Sequence, residues 1–439
     1  MDILIKIAQL LLSLAILVVV HEFGHFLFAK LFKTKVEKFY LFFDPWFSIF
    51  KYKKGETEYG VGWIPLGGYV KIAGMIDESM DKEQMKKPPK SWEFRAKPSW
   101  QRLLIMIGGV LFNFLLAIAI YISILFAWGE KYLPLENAKY GIVCDSIALE
   151  MNLKNGDKIL SFDDKKVDNF RKIIPHILLN QPKTIQIERD GKIKNIDIPK
   201  DLIANIIKRQ SFISLGFPFI VAGFTENSHG KESGLKIGDK IIGINEKKLN
   251  LFADFPPVLK ELKNQVVDLV FIRNGDTLKV KTKISEEGLI GVYYLQNKEE
   301  LFDLKTVEYS FFESIPAGFS RGYQEVGSYL KQFKLIFSPE TEAYKSVGGF
   351  IAIGNIFPDT WDWRIFWSMT ALLSIMLGVV NILPIPALDG GHVLFLIYEI
   401  IARRKPSDKF MEYAQVTGMI ILLSLVVFAN GNDIIKLFE

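Results

Sequence analysis

Residues 21–25 read His-Glu-Phe-Gly-His. On a helix, positions four apart share a face, so His21 and His25 present two imidazoles to one metal ion. Glu22 stands one step round, within reach of a water in the metal's open position, where a carboxylate acts as general base. This stretch lies inside an apolar run from Ile3 to about Phe32, longer than the roughly 20 residues that cross a bilayer. Ionisable groups in hydrocarbon cost a few kcal/mol each and by default mark function. On a soluble amphipathic helix H-E-x-x-H is a common accident; within a membrane helix that account is weak.

Two histidines do not complete a catalytic zinc site, which usually has three protein ligands and one open position. The candidate third ligand lies far along the chain, in Asn381-Ile-Leu-Pro384-Ile-Pro386-Ala-Leu-Asp389-Gly390-Gly391-His392. Two prolines break the helix here, and broken backbone at membrane depth is tolerated only inside protein or beside a water-filled cavity. Asp389 belongs to that break, and a Zn²⁺ ion beside it would keep its carboxylate ionised. A turn or cap aspartate before Gly-Gly is the alternative, and His392 competes for the ligand role. Asn381 is a candidate donor to a substrate carbonyl or developing oxyanion, with capping or interhelical bonding as its other reading.

The elements that must position these groups are apolar spans. The chain has 439 residues, a mean hydropathy of +0.20 and 35 Phe, which fits membrane spans alternating with soluble segments. Four spans are expected, at about 3–32, 102–128, 364–385 and 413–430. The first is too long for a signal peptide, lacks a basic start and carries the His pair. The loop from Lys30 to Arg102 holds 15 Lys/Arg against 9 Asp/Glu, and Arg403-Arg404-Lys405 sits between the last two spans. The positive-inside rule assigns both to the cytoplasm, so both termini and the segment from about 129 to 363 are expected outside it. A single cysteine, Cys144, excludes an internal disulfide. The net charge of +5 follows topology instead of forming one basic face, which argues against a nucleic-acid role.

Between the first two spans, Val61-Gly-Trp-Ile-Pro-Leu-Gly-Gly-Tyr-Val-Lys-Ile72 reads as short strands and tight turns, a β-hairpin lying against the membrane. Its exposed edge is either a place for an unwound substrate to add as a strand or part of a structural re-entrant loop. Residues 77–99, with Asp77, Glu78, Lys82, Lys86, Lys87, Pro88 and Pro89, read as a polar surface loop. In the second span, Gly108-Gly109 permits close helix approach, and Asn113 is read as an interhelical packing residue, with substrate contact as the alternative.

The extracytoplasmic segment contains a repeat. Leu153-Lys-Asn-Gly-Asp-Lys-Ile-Leu-Ser-Phe-Asp-Asp-Lys-Lys166 matches Leu235-Lys-Ile-Gly-Asp-Lys-Ile-Ile-Gly-Ile-Asn-Glu-Lys-Lys248, and each copy runs on to a hairpin-turn signal, Arg189-Asp-Gly191 and Arg273-Asn-Gly275. The Leu-x-x-Gly-Asp-x-Ile pattern before a strand resembles PDZ domains, which implies a groove for an extended peptide. His176 and His229, without partners at ligand spacing, read as ordinary histidines. From about Ser310 to Phe337, apolar residues at helical spacing predict an amphipathic helix on the outer membrane face or under the modules. Ser346–Gly354 carries too many glycines for a plain span and reads as re-entrant. The expected organisation is therefore 1–128 (two spans and the hairpin), 129–210 and 211–286 (two PDZ-like domains), 287–362 (amphipathic helix and re-entrant segment) and 363–439 (two spans).

His-Glu-Phe-Gly-His at 21–25, Gly67-Gly68-Tyr69-Val70-Lys71, and Asn381 with Leu388-Asp389-Gly390 together resemble the site-2 protease family of intramembrane zinc metalloproteases. The resemblance covers nearly the whole chain. It implies a multi-pass α-helical membrane protein with four transmembrane helices, a membrane-associated β-hairpin and two β-rich PDZ-like extracytoplasmic domains. It implies Zn²⁺ held by His21, His25 and Asp389, with Glu22 as catalytic acid/base and Asn381 as a substrate-positioning residue. Gly67, Gly68, Tyr69, Val70 and Lys71 would present an edge strand to the substrate. The implied partners are the lipid bilayer of the bacterial inner membrane and single-span membrane proteins already trimmed outside it, anti-sigma factors or remnant signal peptides. Two departures affect local helix geometry and substrate gating. The family's Gly-Pro-x-x-Asn reads Gly109-Val110-Leu-Phe-Asn113, and a later Gly-Pro reads Gly348-Gly349. A non-catalytic scaffold would tolerate replacement of Glu22, and a metal transporter would need polar residues along several spans, which the second and fourth nearly lack.

Overall fold

The computed structural model describes residues 2–65, 67–75, 88–199, 201–209 and 211–438. Of the expected polar loop, Asp77, Glu78, Lys82, Lys86 and Lys87 fall outside the described residues. The chain divides into two compact units, Met1–Gly129 with Glu308–Lys334 and Tyr344–Glu439, and Glu130–Val307 with Leu335–Ala343.

Among the described residues, the first unit contains four helices long and apolar enough to cross a membrane: α1 (Asp2–Leu31), α2 (Ser99–Trp128), α5 (Trp363–Ile382) and α7 (Asp408–Lys436). Helix α2 runs unbroken through Val110 and Asn113, both buried. Helices α1 and α2 cross backbone to backbone, since a Cβ on Gly24 would lie 2.2 Å from the Gly108 carbonyl oxygen. Small residues are how membrane helices approach this closely, because lipid supplies no hydrophobic force between them. Helix α5 stops at Ile382, three residues before the expected limit. Pro384 and Pro386 lack the N–H groups to extend it, Ala387 takes a positive φ of 96°, and the chain restarts as α6 (Asp389–Ala402).

The expected hairpin is corrected. The described strands are β1 (Val36–Leu41), β2 (Phe50–Lys54), β3 (Thr57–Val61) and β4 (Tyr69–Ile72), in sheet order β2-β3-β1-β4. The strands on either side of Gly67-Gly68 do not pair with each other. β3 runs parallel to β1, and β4 runs antiparallel to it on the other side. The cause is β1, whose Val36, Phe39, Tyr40 and Leu41 form a strand that the abundance of lysine and aromatics masked. It inserts between the two and leaves β4 as an edge. The true hairpin is β2–β3, turning at Gly55 with φ 63°.

The amphipathic segment is α3 (Phe311–Ile336), but its buried stripe is small. Ser314, Gly318 and Gly322 are buried, and Gly318 and Gly322 sit against Ile122 and Ile118 of α2, while Phe312 and Tyr323 are about 80 % exposed. The Gly-rich segment holds a single short helix, α4 (Phe350–Asn355). Side chains of α7 cap it: Asn430 Oδ1 accepts from Phe350 N–H, and Asp433 Oδ2 accepts from Ile351 and Ala352 N–H at 3.0 Å.

In the second unit the repeat folds twice into the same arrangement. Strands Lys158–Phe162 and Lys240–Ile244 each follow a glycine of positive φ, Gly156 at 90° and Gly238 at 92°. Each pairs with a hairpin whose turn has two positive-φ residues, Asp190-Gly191 and Asn274-Gly275, the pair that matches strand twist. A buried aspartate anchors each copy to the arginine before its turn. Asp157 bonds Arg189 at 2.6 Å, and Asp239 bonds Arg273 at 2.7 Å. Each module has its own apolar core, one around Phe162 and Ile185, the other around Phe255 and Leu269. The second sheet extends past the expected module boundary to Val292–Tyr294.

Candidate active site

The His pair lies on α1 where that helix meets α2. Both rings are buried, with Nε2 atoms 3.3 Å apart. The break after α5 delivers Asp389, the first residue of α6, to the same point: its Oδ2 lies 3.2 Å from His21 Nε2 and 3.3 Å from His25 Nε2. Among the described residues these three form the one group of His, Cys, Asp and Glu able to hold a metal. A tetrahedral ion with bonds of about 2.0 Å spaces its ligand atoms about 3.3 Å apart, so the triangle has the dimensions of a face of such a tetrahedron. Asp389 Oδ2 is buried without a hydrogen bond of acceptable geometry, as a carboxylate oxygen aimed at a shared central point would be. The donor set therefore fits a zinc ion and leaves its fourth position free.

The His rings are held from behind by one face of α2. Ile105 offers its carbonyl oxygen to His25 Nδ1 at 2.8 Å. Gly109, one turn on, lies directly beneath both rings, and a Cβ there would fall 2.4 Å from His25 Nε2 and 2.7 Å from His21 Cε1. Asn113, a further turn on and fully buried, places its amide 3.0 Å from His21 Nδ1. With Nδ1 of His25 occupied as a donor, the Nε2 lone pair is the one available to a metal.

A cavity of about 690 Å³ opens beside this triangle. Glu22 lines it together with His21, His25 and Asp389. Its opposite wall is the edge strand: Gly68, Tyr69, Val70, Lys71 and Ile72 all line the cavity. Gly68 lets the strand rest on α1, since a Cβ there would lie 2.6 Å from both Val18 and the Tyr40 carbonyl and 3.5 Å from Glu22. Gly67 stands outside the lining and serves the turn, at φ 146°. Tyr69 is fastened rather than free. Its hydroxyl donates to Asp44 at 2.8 Å, and its ring stacks on Tyr40. Burial first, then the Asp44 carboxylate, raises its phenol above the usual range, so it stays protonated as a donor. Asn381 Nδ2 lies 3.5 Å from His21 Nε2, beside the triangle. His392 lines the same cavity but is not one of the three clustered residues.

Two residues read as packing elements thus belong to the site, Gly109 and Asn113. The signal was present: Ile105, Gly109 and Asn113 recur every four residues, one face of α2. What the sequence does not give is which helix that face meets.

The model of peptidase family M50 matches residues 9–425 of the chain. Among curated relatives, the regulator of sigma E protease of Haemophilus influenzae is 29 % identical, with the whole of both chains covered. A zinc metalloprotease by name from Campylobacter jejuni is 30 % identical over 99 % of this chain and 94 % of its own. A similarly named protein of Rickettsia conorii is 28 % identical over 99 % of this chain and all of its own.

Proposed function

Because the chain belongs to peptidase family M50, the site-2 protease family of zinc metalloproteases, we propose that it cuts single-span membrane proteins within their transmembrane segments. The observation that carries this reading is the 3.2–3.3 Å triangle of His21, His25 and Asp389 beside Glu22 on a helix that can cross a membrane.

His21, His25 and Asp389 would hold the zinc, which when bound would lower the pKa of a water toward neutrality and polarise the scissile carbonyl. Glu22 accepts the proton of the attacking water as the water's oxygen bonds to the carbonyl carbon. It then passes the proton to the amide nitrogen as the carbon–nitrogen bond breaks. Asn381 donates to the carbonyl oxygen as it gains charge. A helical substrate hides its carbonyls in its own hydrogen bonds, so the segment must be extended first. The open edge of β4, from Gly68 to Ile72, pairs with the unwound segment and holds it along the cavity.

The site faces the cytoplasmic side of the bacterial inner membrane, a reading supported by the basic loops around it. The two repeated modules are PDZ-like, lie outside the cytoplasm, and act on substrates whose outer domain has been removed, either as a size filter or as a reader of the remnant. Anti-sigma factors and remnant signal peptides are the substrate classes; the regulator of sigma E protease among the relatives supports the first.

The test compares wild type with Glu22→Gln in liposomes holding a tagged single-span substrate without its outer domain, with zinc assayed in both. Cleavage by wild type, and none by a variant that still holds one zinc, is expected. Equal cleavage by both would remove Glu22 as the base, and wild type with neither zinc nor cleavage would return the scaffold reading.

A further inference from the structure

We infer that Asn113 is a positioning residue for the metal ligand His21: its amide oxygen accepts the Nδ1–H proton of the imidazole, so that Nε2 turns its lone pair to the zinc. The inference rests on the reading of His21 as a zinc ligand.

Asn113 is fully buried in α2, and its amide faces His21 Nδ1 at 3.0 Å. As placed, Nδ2 points at the ring and Oδ1 is buried without a partner. The two ends of an amide are told apart only by their hydrogen bonds, and here the chemistry of the ring decides. If Nδ2 donated to Nδ1, the proton of the neutral imidazole would sit on Nε2, the atom 3.2 Å from Asp389 Oδ2, where it would exclude a metal. A half-turn about Cβ–Cγ brings Oδ1 to Nδ1, moves the ring proton there and frees Nε2. A ligating histidine almost always donates its second N–H in this way.

His25 supplies the internal comparison. Its Nδ1 meets the main-chain carbonyl of Ile105 at 2.8 Å. His25 neighbours the Gly24–Gly108 contact, where the two backbones touch and a main-chain oxygen can serve. At His21, on the other side of Gly24, the group that meets Nδ1 is a side chain, the Asn113 amide at 3.0 Å. Asparagine offers the same carbonyl-type acceptor on a short arm. The turn carrying it is itself anchored, since Ser374 Oγ donates to the Asn113 main-chain oxygen at 2.7 Å. An interhelical packing role alone requires neither an acceptor at this position nor its alignment with Nδ1.

The experiment measures zinc affinity in the purified full-length protein by competition with a chromophoric chelator, and the visible spectrum after Co²⁺ substitution. Asn113→Leu keeps the volume and removes the acceptor; Asn113→Asp keeps an acceptor at the same reach. Leucine is expected to weaken zinc binding about 10- to 100-fold and shift the Co²⁺ bands, while aspartate stays within a few-fold of wild type. Thermal unfolding of the metal-free forms separates this from a packing loss, and Asn113→Ala carries the comparison should the leucine variant not fold. A leucine or alanine variant that binds zinc like wild type, or an aspartate variant as weak as leucine, overturns the inference while leaving the metal site standing. Wild type that binds no zinc overturns both.

Discussion

Replacing Gly109 by alanine adds one methyl group to the floor of the metal site. That Cβ would sit 2.4 Å from His25 Nε2 and 2.7 and 2.9 Å from His21 Cε1 and Nδ1, where ordinary contact begins at 3.4 Å. The ring tip of His25 must therefore retreat by about 1 Å, several times the roughly 0.2 Å latitude of a metal–ligand bond. It cannot do so freely, because its far side is held by the Ile105 carbonyl, and His21 is held by Asn113. Either a ligand leaves or α1 and α2 separate. Disturbing the support of metal ligands typically costs about 10- to 100-fold in affinity, so zinc affinity is expected to fall by ~1.4–2.7 kcal/mol. Chelator competition on the purified protein reads this directly, with cleavage in liposomes lost in parallel. Gly327→Ala is the control: beyond its own helix backbone nothing lies within 4 Å of an added Cβ, so zinc binding should be unchanged and α3 slightly strengthened. A Gly109→Ala protein with wild-type zinc affinity would refute the placement of Gly109 beneath the rings.

Tyr69→Phe removes the donor to Asp44 and loosens the edge strand by roughly 1 kcal/mol; KM should rise several-fold with zinc content unchanged. Burial pushes the Asp239 carboxyl up, but Arg273 and the Lys236 N–H hold it below its ordinary value. A carboxylate depressed in the fold stabilises it fully above the unfolded value of about 3.9, and that contribution fades as pH falls through the lower folded value. The protection factors of the amides at 240–244 in the full chain, exchange measured against the unstructured rate at the same pH, should therefore be high at neutral pH and fall in acid, whereas Asp239→Asn should be less protected at neutral pH with a flatter acid response.

The spans and the repeat were legible because each is written in local pattern: apolar length for the four helices, and Gly-Asp before a strand with Asp-Gly or Asn-Gly turns for the modules. The three residues that the fold brings together, His21, His25 and Asp389, were legible because H-E-x-x-H and a proline-broken helix are strong departures from membrane-span composition. The edge strand was read at the right residues and in the wrong pairing. Glycines and aromatics in residues 61–72 announced turns and strands, but sheet order depends on β1, thirty residues upstream, whose strand character was diluted by Glu37 and Lys38. In α3 the aromatics set the expected face, whereas the buried stripe is the glycines, because contact with α2 rewards close approach over side-chain area.

Three glycine contacts converge on one short part of α1. Gly24 against Gly108 sets the crossing with α2, Gly109 admits the His rings to that crossing, and Gly68 lets β4 lie against Val18 near Glu22. Helix packing, ligand placement and substrate strand thus share residues 18–25, and each depends on a missing side chain elsewhere in the chain. The three should fail differently. A methyl on Gly24 meets a main-chain oxygen at 2.2 Å, which cannot rotate away, so the helix pair itself must part. A methyl on Gly109 meets the rings of His21 and His25, and a methyl on Gly68 meets Val18 and the Tyr40 carbonyl, displacing the strand while the triangle stays closed. Folding, zinc and KM are therefore separable at a site only a few residues long. That separation follows from the backbone approaching α1 at three different points, and a site formed by side-chain contacts alone would not show it.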